Sequence, residues 1–178
     1  MQLAEVLKLK LNTTDEISLA FGETAYQYML ACDDISQYVF DHDMLFNSVK
    51  LSKELYSHIR ETFGLKSQMA QSAIRTVTAR YQTVDTQYRK EPYTFKADNK
   101  WYRIPRDIRW LGKPLHFHRP QADLVRNRDY SFLNGGRDIS INTLSKRVVC
   151  PFTAAGSMGK FLDGTWKFGT AKLVKLKG

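Results

Sequence analysis

Gly64-Leu65-Lys66-Ser67-Gln68-Met69-Ala70-Gln71 lies between two segments of helical periodicity and determines how they are joined. Gly64 is expected to end the first helix, because glycine takes the left-handed conformation after a helix at little cost. Ser67 is expected to cap the second helix by accepting hydrogen bonds from its free N–H groups. A helix, a tight turn and a second helix are typical of units that point the second helix at a DNA groove.

The second helix is predicted to run to about Lys90 and to have two different faces. Its apolar face carries Ala70, Ala73, Ile74, Val77, Tyr81, Val84 and Tyr88. Its polar face carries Gln68, Gln71, Ser72, Arg75 and Gln82. Glutamine and arginine are the side chains best suited to adenine and guanine edges in the major groove. The alternative is an ordinary amphipathic helix whose polar face is solvated.

Charge is distributed unevenly along the 178 residues, which carry a net charge of +9. Residues 1–92 have a net charge of −2 and residues 93–178 a net charge of +11. A basic half with interleaved aromatic residues favours nucleic acid as the partner. No apolar run reaches membrane-spanning length and the N-terminus does not resemble a signal peptide, so we expect a soluble cytosolic protein without membrane contact. The two cysteines form no CxxC pair, and we expect no cofactor.

The densest basic and aromatic segment runs from Lys100 to Trp110. Alternating cations and aromatic rings suit phosphate neutralisation and base stacking. Strand aromatics often lie in a core instead, and we expect Tyr102, Ile104 and one tryptophan of this segment to do so. The candidate RNA or phosphate contacts are Lys8, Lys10, Lys100, Trp101, Arg103, Arg106 and Arg109, with Arg126, Arg128, Lys146 and Arg147 as weaker candidates.

The order of segments predicts an α+β fold. Residues 3–11 alternate as in a half-buried strand, and helical segments follow up to Glu91-Pro92. Short strands then flank three hairpin signals, Asp98-Asn99, Asn134-Gly135-Gly136 and Asp163-Gly164, before a last strand over residues 170–177. The first and last strands look alike and are expected to close a sheet edge. We therefore predict a small antiparallel OB-like β-barrel of residues 1–12 and 93–178, with a helical lobe inserted at 13–92.

Two blocks of sequence resemble a known family. They are Leu7-Lys8-Leu9-Lys10-Leu11 with the helix that follows, and Ile59-Arg60-Glu61-Thr62-Phe63-Gly64 continuing through Ala70. Both resemble the N-terminal half of transposon-encoded TnpB proteins and the related type V CRISPR effectors. The tail from Ile139 through Trp166-Lys167-Phe168-Gly169-Thr170 to Val174 is similar to the end of that family's wedge barrel.

The resemblance implies a wedge domain interrupted by a helical recognition lobe, in a prokaryotic, nucleoid-associated protein. It also implies RNA-guided DNA binding, with guide RNA and double-stranded target DNA as partners. By position, the readers of a short DNA motif flanking the target would be Lys66, Ser67, Gln68, Gln71 and Arg75. In the family a RuvC nuclease domain follows, whereas this sequence ends at Gly178. We therefore expect no catalytic residues and no cleavage by this polypeptide alone, with a separate RuvC nuclease chain as a possible partner.

The sequence offers little for metal binding or for phosphodiester cleavage. His116 and His118 would share one face of a strand, but we see no third ligand nearby and expect no metal site. The carboxylates of the C-terminal half are scattered, whereas two-metal phosphodiester chemistry needs a cluster. Two other functions remain open: a standalone sequence-specific DNA-binding regulator that needs no RNA, and a nuclease with unrecognised carboxylates.

Overall fold

The computed structural model describes residues 4–154 and 156–175, which form an α+β architecture. The helices are α1 (Asp15–Asp41), α2 (Ser48–Phe63) and α3 (Ser67–Lys90). The strands are β1 (Leu9–Leu11), β2 (Tyr93–Ala97), β3 (Lys100–Ile104), β4 (Gln121–Leu124), β5 (Tyr130–Leu133), β6 (Asp138–Asn142), β7 (Arg147–Ala154) and β8 (Ala171–Val174). Short 3-10 helices span Ile108–Trp110 and Gly156–Leu162.

The junction between α2 and α3 follows the prediction except at its cap. Gly64 ends α2 in the left-handed conformation, with φ 66°, as expected. The prediction that Ser67 caps α3 is wrong: Lys66 occupies the N-cap position and makes no side-chain capping hydrogen bond. The helix begins one residue earlier than expected because the Ala70 N–H already donates to the Lys66 carbonyl, at 3.0 Å. Ser67 is therefore inside the first turn.

The apolar stripes predicted for the helices form the core. On α2, the buried residues are Leu51, Leu55 and Ile59, which face α1 and α3. The buried residues of all three helices form one cluster with those of β4 to β8. Ser72 is a correction, since it was expected on the exposed face of α3 and is only 5% exposed. Because α3 packs against both α1 and α2, its buried stripe is wider than a single contact would require.

The strands form three separate antiparallel sheets, ordered β1-β7-β6-β5, β2-β3 and β4-β8. Within residues 4–154 and 156–175, none of these sheets closes on itself into a barrel. The expected pairing of the first strand with the last is wrong, because β1 pairs with β7 and β8 pairs with β4. The first strand covers only Leu9–Leu11 of the predicted residues 3–11; residue 3 and residues 176–177 of the predicted last strand lie outside the described residues.

Two of the three predicted hairpins are confirmed. Asp98 and Asn99 take positive φ values of 47° and 58° and join β2 to β3 in full register. The Asn134-Gly135-Gly136 signal joins β5 to β6. The hairpin predicted at Asp163-Gly164 is wrong, since a 3-10 helix precedes it and no strand follows directly. There the Asp163 carboxylate accepts hydrogen bonds from the backbone and hydroxyl of Thr165, which favours a local turn.

Buried polar groups connect the helices to the rest of the chain. The Tyr81 hydroxyl donates to the Ser36 carbonyl at 2.9 Å and accepts from the Leu115 N–H at 3.4 Å. Thr76 on α3 donates to the Asp123 carboxylate on β4 at 2.7 Å. These bonds fix the position of α3 against α1 and the strands, because a buried polar group left unpaired is costly.

Both cysteines are free and buried, Cys32 in α1 and Cys150 in β7. Burial raises the pKa of both thiols. No described helix has the length and apolar character needed to cross a membrane.

Candidate nucleic-acid interface

The start of α3 is held rigidly by the turn before it. Leu65 is 2% exposed and Met69 is fully buried, so the turn is anchored on both sides of Lys66. Between these anchors, Ser67 is exposed and Gln68 is half-buried. The alternation of buried and accessible residues directs the first polar side chains of α3 away from the core.

An open groove of about 460 Å³ lies beside this helix start, and we call it the α3 groove. It is lined by Tyr56, Lys66, Ser67, Gln68, Gln71, Arg128, Asp129 and Asn142. Four of the five predicted motif readers therefore share one surface. The fifth, Arg75, is exposed one helical turn beyond Gln71 and does not line the groove.

Lys66 contributes to the groove from a fixed position. Its ammonium group donates to the Ser145 carbonyl in the turn between β6 and β7, at 3.0 Å. Because the Lys66 side chain makes no capping hydrogen bond, the N-cap residue provides no side-chain acceptor for the N–H groups of the first turn of α3. The free N–H groups and the positive end of the helix dipole favour an anion beside Ser67.

Gln71 is held by a neighbouring helix. Its side-chain amide donates to the Ser52 hydroxyl of α2 at 2.7 Å. That bond uses one of the two amide hydrogens, so an amide hydrogen and the carbonyl oxygen remain for a ligand. A glutamine needs one donor and one acceptor to pair with an adenine edge. The contact with Ser52 thus orients the amide and leaves one N–H donor and the carbonyl oxygen available for a base.

The opposite wall of the groove comes from the turn before β5. Asn127 takes a positive φ of 62°, and the Arg128 carbonyl accepts a hydrogen bond from the Asn142 side chain at 3.0 Å. Asp129 is fully buried, and its Oδ2 accepts from the Val125 N–H at 2.9 Å. Its Oδ1 has no hydrogen-bond partner within the described part of the chain. Burial raises the pKa of the Asp129 carboxyl, which the bond from Val125 only partly offsets.

Sequence reasoning missed Tyr56, Asp129 and Asn142 as groove residues and ranked Arg128 low. Asn127-Arg128-Asp129 has the composition of a turn, which was a detectable local signal. Its position opposite α3 depends on strand pairing between β5 and β6, which residue patterns do not specify.

No protein-family model matches this chain, and no curated protein matches its sequence. The chemistry of the groove is therefore argued from its own residues. Three amide side chains, those of Gln68, Gln71 and Asn142, lie beside a lysine, an arginine and a helix N-terminus. This combination can pair with base edges while it neutralises a neighbouring phosphate.

A second surface is the hairpin of β2 and β3. Every residue of β3 is exposed, and Trp101 is 73% exposed. The expectation that Tyr102, Ile104 and one tryptophan lie in a barrel core is wrong, because Tyr102, Ile104 and Trp110 are 42%, 41% and 48% exposed. Within the described residues these strands pair only with each other, and the exposed residues of β3 on both sides show that neither face is fully covered. Among the predicted phosphate contacts, Lys100, Trp101 and Arg103 lie on this hairpin.

Two other predicted contacts have partners within the chain. Arg109 forms a salt bridge with Asp107 through Nη2 and Nε, and this guanidinium lowers the pKa of the Asp107 carboxyl. Arg106 donates to the Glu91 carbonyl at 2.7 Å and lies over the Tyr88 ring. Both arginines thus brace the segment after the hairpin, and their role in RNA binding stays a prediction.

The remaining cations are dispersed. Lys8 and Lys10 are exposed at the start of the chain, far in sequence from the hairpin. Arg126 lies over the rings of Tyr130 and Phe132, at 5.5 and 4.9 Å from their centres. Lys146 pairs with Glu16, and Arg147 donates to the Ser140 hydroxyl.

The two histidines do not lie on a strand as expected. His116 and His118 belong to an irregular segment, with ring centres 5.9 Å apart. A carboxylate that the sequence analysis overlooked, Asp33, lies 3.6 Å from His116 Nδ1. Among the described residues, no group of three or more histidine, cysteine or acidic side chains is arranged to hold a metal ion.

Proposed function

We propose that the chain is the non-catalytic, nucleic-acid-binding half of an RNA-guided DNA-targeting system of the TnpB type. In this proposal the α3 groove reads a short duplex motif and the basic C-terminal half holds a guide RNA. Base pairing between guide and target would supply the remaining specificity. A RuvC nuclease on a separate chain is the proposed source of any cleavage, and the prokaryotic nucleoid is the proposed location.

The observation that carries the proposal is the shared position of Lys66, Ser67, Gln68 and Gln71 in one groove. The resemblance indicates all four residues, and helical phase independently indicates Gln68 and Gln71. Arg128 adds a second cation across the groove from α3. Amides between cations suit a duplex, which presents base edges between two rows of phosphates.

The finer architecture is also a proposal. We infer that the sheets β1-β7-β6-β5 and β4-β8 correspond to an OB-like wedge, with the helices inserted as a recognition lobe. The support is the continuation of the chain from β1 into three helices and then back into strands. Lys8, Lys10, Lys100, Trp101, Arg103, Arg106 and Arg109 are the proposed contacts for RNA.

Gln71→Ala tests the groove. We expect the variant to relax preference at one base position of the duplex motif, at a cost of about 1–3 kcal/mol, because an adenine edge loses its paired amide. The measurement is selection from a random duplex library followed by binding to single-base variants of the selected site. Gln82→Ala is the matched control, since Gln82 is exposed on the same helix outside the groove.

Unchanged motif preference in Gln71→Ala would show that the reading surface lies elsewhere. The RNA part needs a second experiment, which is purification of the protein with its genomic neighbourhood and sequencing of any bound RNA. A structured RNA with a variable end supports the guide. Protein free of RNA that still selects duplexes would instead support the standalone regulator.

A further inference from the structure

The β2–β3 hairpin has two faces of different chemistry. Residues opposite each other in an antiparallel pair project to the same side. Lys96 is opposite Trp101, and Thr94 is opposite Arg103, so these four residues form one face, which we call the basic face. The other side carries the aromatic and apolar residues Tyr93, Phe95, Ala97, Tyr102 and Ile104, with Lys100 at its end.

The second side is partly occupied by its own rings. Phe95 stacks on Tyr102 with ring centres 5.2 Å apart, and Tyr93 lies 6.0 Å from Trp110. These contacts stiffen the hairpin and cover part of each ring. On the basic face, Trp101 stacks on no other aromatic ring of the described residues. The indole of Trp101 is therefore open to a planar ligand.

The two cations of the basic face, Lys96 and Arg103, are also available for a ligand. Within residues 4–154 and 156–175, neither Lys96 nor Arg103 forms an ion pair or a side-chain hydrogen bond. Lys96 lies across the strands from Trp101, and Arg103 lies two residues along the same strand. An open aromatic plane with a free cation on two sides complements a base flanked by its phosphates.

Duplex nucleic acid does not fit this arrangement, because its bases are stacked inside and present only their edges. An open indole gains stacking energy only from an unpaired base. A protein partner is less favoured, since two adjacent uncompensated cations would have to be desolvated beside the apolar contact. In the proposed system a guide RNA supplies unpaired nucleotides from the outset, whereas the DNA does so only after guide pairing has opened its duplex.

We propose that the basic face of the β2–β3 hairpin binds unpaired nucleotides of an RNA strand, with one base stacked on Trp101 and the adjoining phosphates contacted by Lys96 and Arg103. This inference rests on the proposed function, which it deepens by naming the form of RNA that the hairpin takes. It assigns to the hairpin a task separate from that of the α3 groove.

The test measures binding of a labelled single-stranded RNA 15-mer of mixed sequence, and of the duplex of the same sequence, to the full chain. We expect the single strand to bind more tightly, and Trp101→Ala to weaken it about tenfold or more with little effect on the duplex. Trp101→Phe keeps a stacking plane and should retain most of the affinity. Tyr26→Ala, which removes an exposed ring from α1, is the matched control and should change nothing.

Two further readouts separate stacking from charge. Binding of the single strand should quench indole fluorescence, and Trp101→Phe should remove that quenching. Lys96→Ala should reduce the salt dependence of binding by about one phosphate contact while the preference for single strands persists.

The inference is overturned if the duplex competes as well as the single strand, or if Trp101→Ala binds RNA as wild type does while its circular dichroism is unchanged. In that case duplex selection by Gln71 can still hold, and only the task of the hairpin is lost. A chain that binds neither RNA nor DNA would contradict the proposed function as well.

Discussion

At the scale of single residues, the groove depends on side chains held by their neighbours. Gln71 is oriented by Ser52, and Lys66 is fixed on the Ser145 carbonyl. Asp129 lies at the base of the opposite wall with one carboxylate oxygen lacking a partner in the described chain. A buried carboxylate of this kind is a cost to the fold when it is ionised.

Asp129→Asn is expected to change how stability depends on pH. Burial raises the folded-state pKa of this carboxyl above its ordinary value of 3.8. The folded chain then binds the proton more tightly than the unfolded chain, so the free energy of unfolding falls as pH rises from about that value through the raised pKa. The variant should lose this fall, measured by urea unfolding at several pH values between acid and neutral.

The control for this prediction is Asp98→Asn in the exposed hairpin turn, which leaves the buried carboxyl in place. A parallel decline of wild type and Asp129→Asn over the whole pH range would mean that Asp129 does not carry the effect.

At the scale of elements, the sequence predicted those whose signals are local. The helices, the end of α2 at Gly64 and the turns at Asp98-Asn99 and Asn134-Gly135-Gly136 follow from periodicity and from residues that tolerate positive φ. The predictions of a Ser67 cap on α3 and of a hairpin at Asp163-Gly164 were wrong, because a polar side chain can form hydrogen bonds with several different local partners. Strand partners depend on contacts distant in sequence, and those were not predictable.

The same division applies to the candidate site. Gln68 and Gln71 were found from helical phase, and Lys66 and Ser67 from their position in the family resemblance. The groove wall at Arg128 and Asp129 was not, since it reaches α3 only through sheet formation. The exposure of Tyr102 and Ile104 was also missed, because an alternating strand pattern does not reveal whether a second layer covers it.

Gly64→Ala tests the junction between α2 and α3. No atom lies within 4 Å of the added methyl group, so the cost comes from the left-handed backbone alone, about 1 kcal/mol. Gly22→Ala is the control of opposite sign: Gly22 is inside α1 with equally open space, and alanine there should stabilise by about 0.5–1 kcal/mol. Chemical denaturation of both variants gives the comparison. Equal effects would mean that the conformation of Gly64 does not limit the turn.

At the scale of the whole molecule, the mildly acidic helical segment and the strongly basic strands meet at the α3 groove. The groove takes Gln68 and Gln71 from the first and Arg128 from the second. The hydrogen bonds from the Leu115 N–H to the Tyr81 hydroxyl and from Thr76 to the Asp123 carboxylate hold these parts in contact. The geometry of the groove therefore depends on how firmly the helices are docked on the strands.

Tyr81→Phe tests that docking. The ring keeps its packing, while the Ser36 carbonyl and the Leu115 N–H lose their shared partner in a buried position. We expect a loss of about 1–3 kcal/mol in the free energy of unfolding, measured by urea denaturation. Tyr26→Phe removes an exposed hydroxyl from α1 and should be neutral. A neutral Tyr81→Phe would mean that the Tyr81 hydroxyl does not contribute to the docking of the helices.

The two buried thiols can report how often the chain opens locally. Cys32 is in the helical segment and Cys150 is in the four-stranded sheet, and each is shielded from a water-borne alkylating reagent while its surroundings are closed. The rate at which each thiol is alkylated therefore measures how often the segment that buries it opens to solvent. Equal modification rates of Cys32 and Cys150 would indicate that the helical segment and the sheet open together. Different rates would indicate that they open separately.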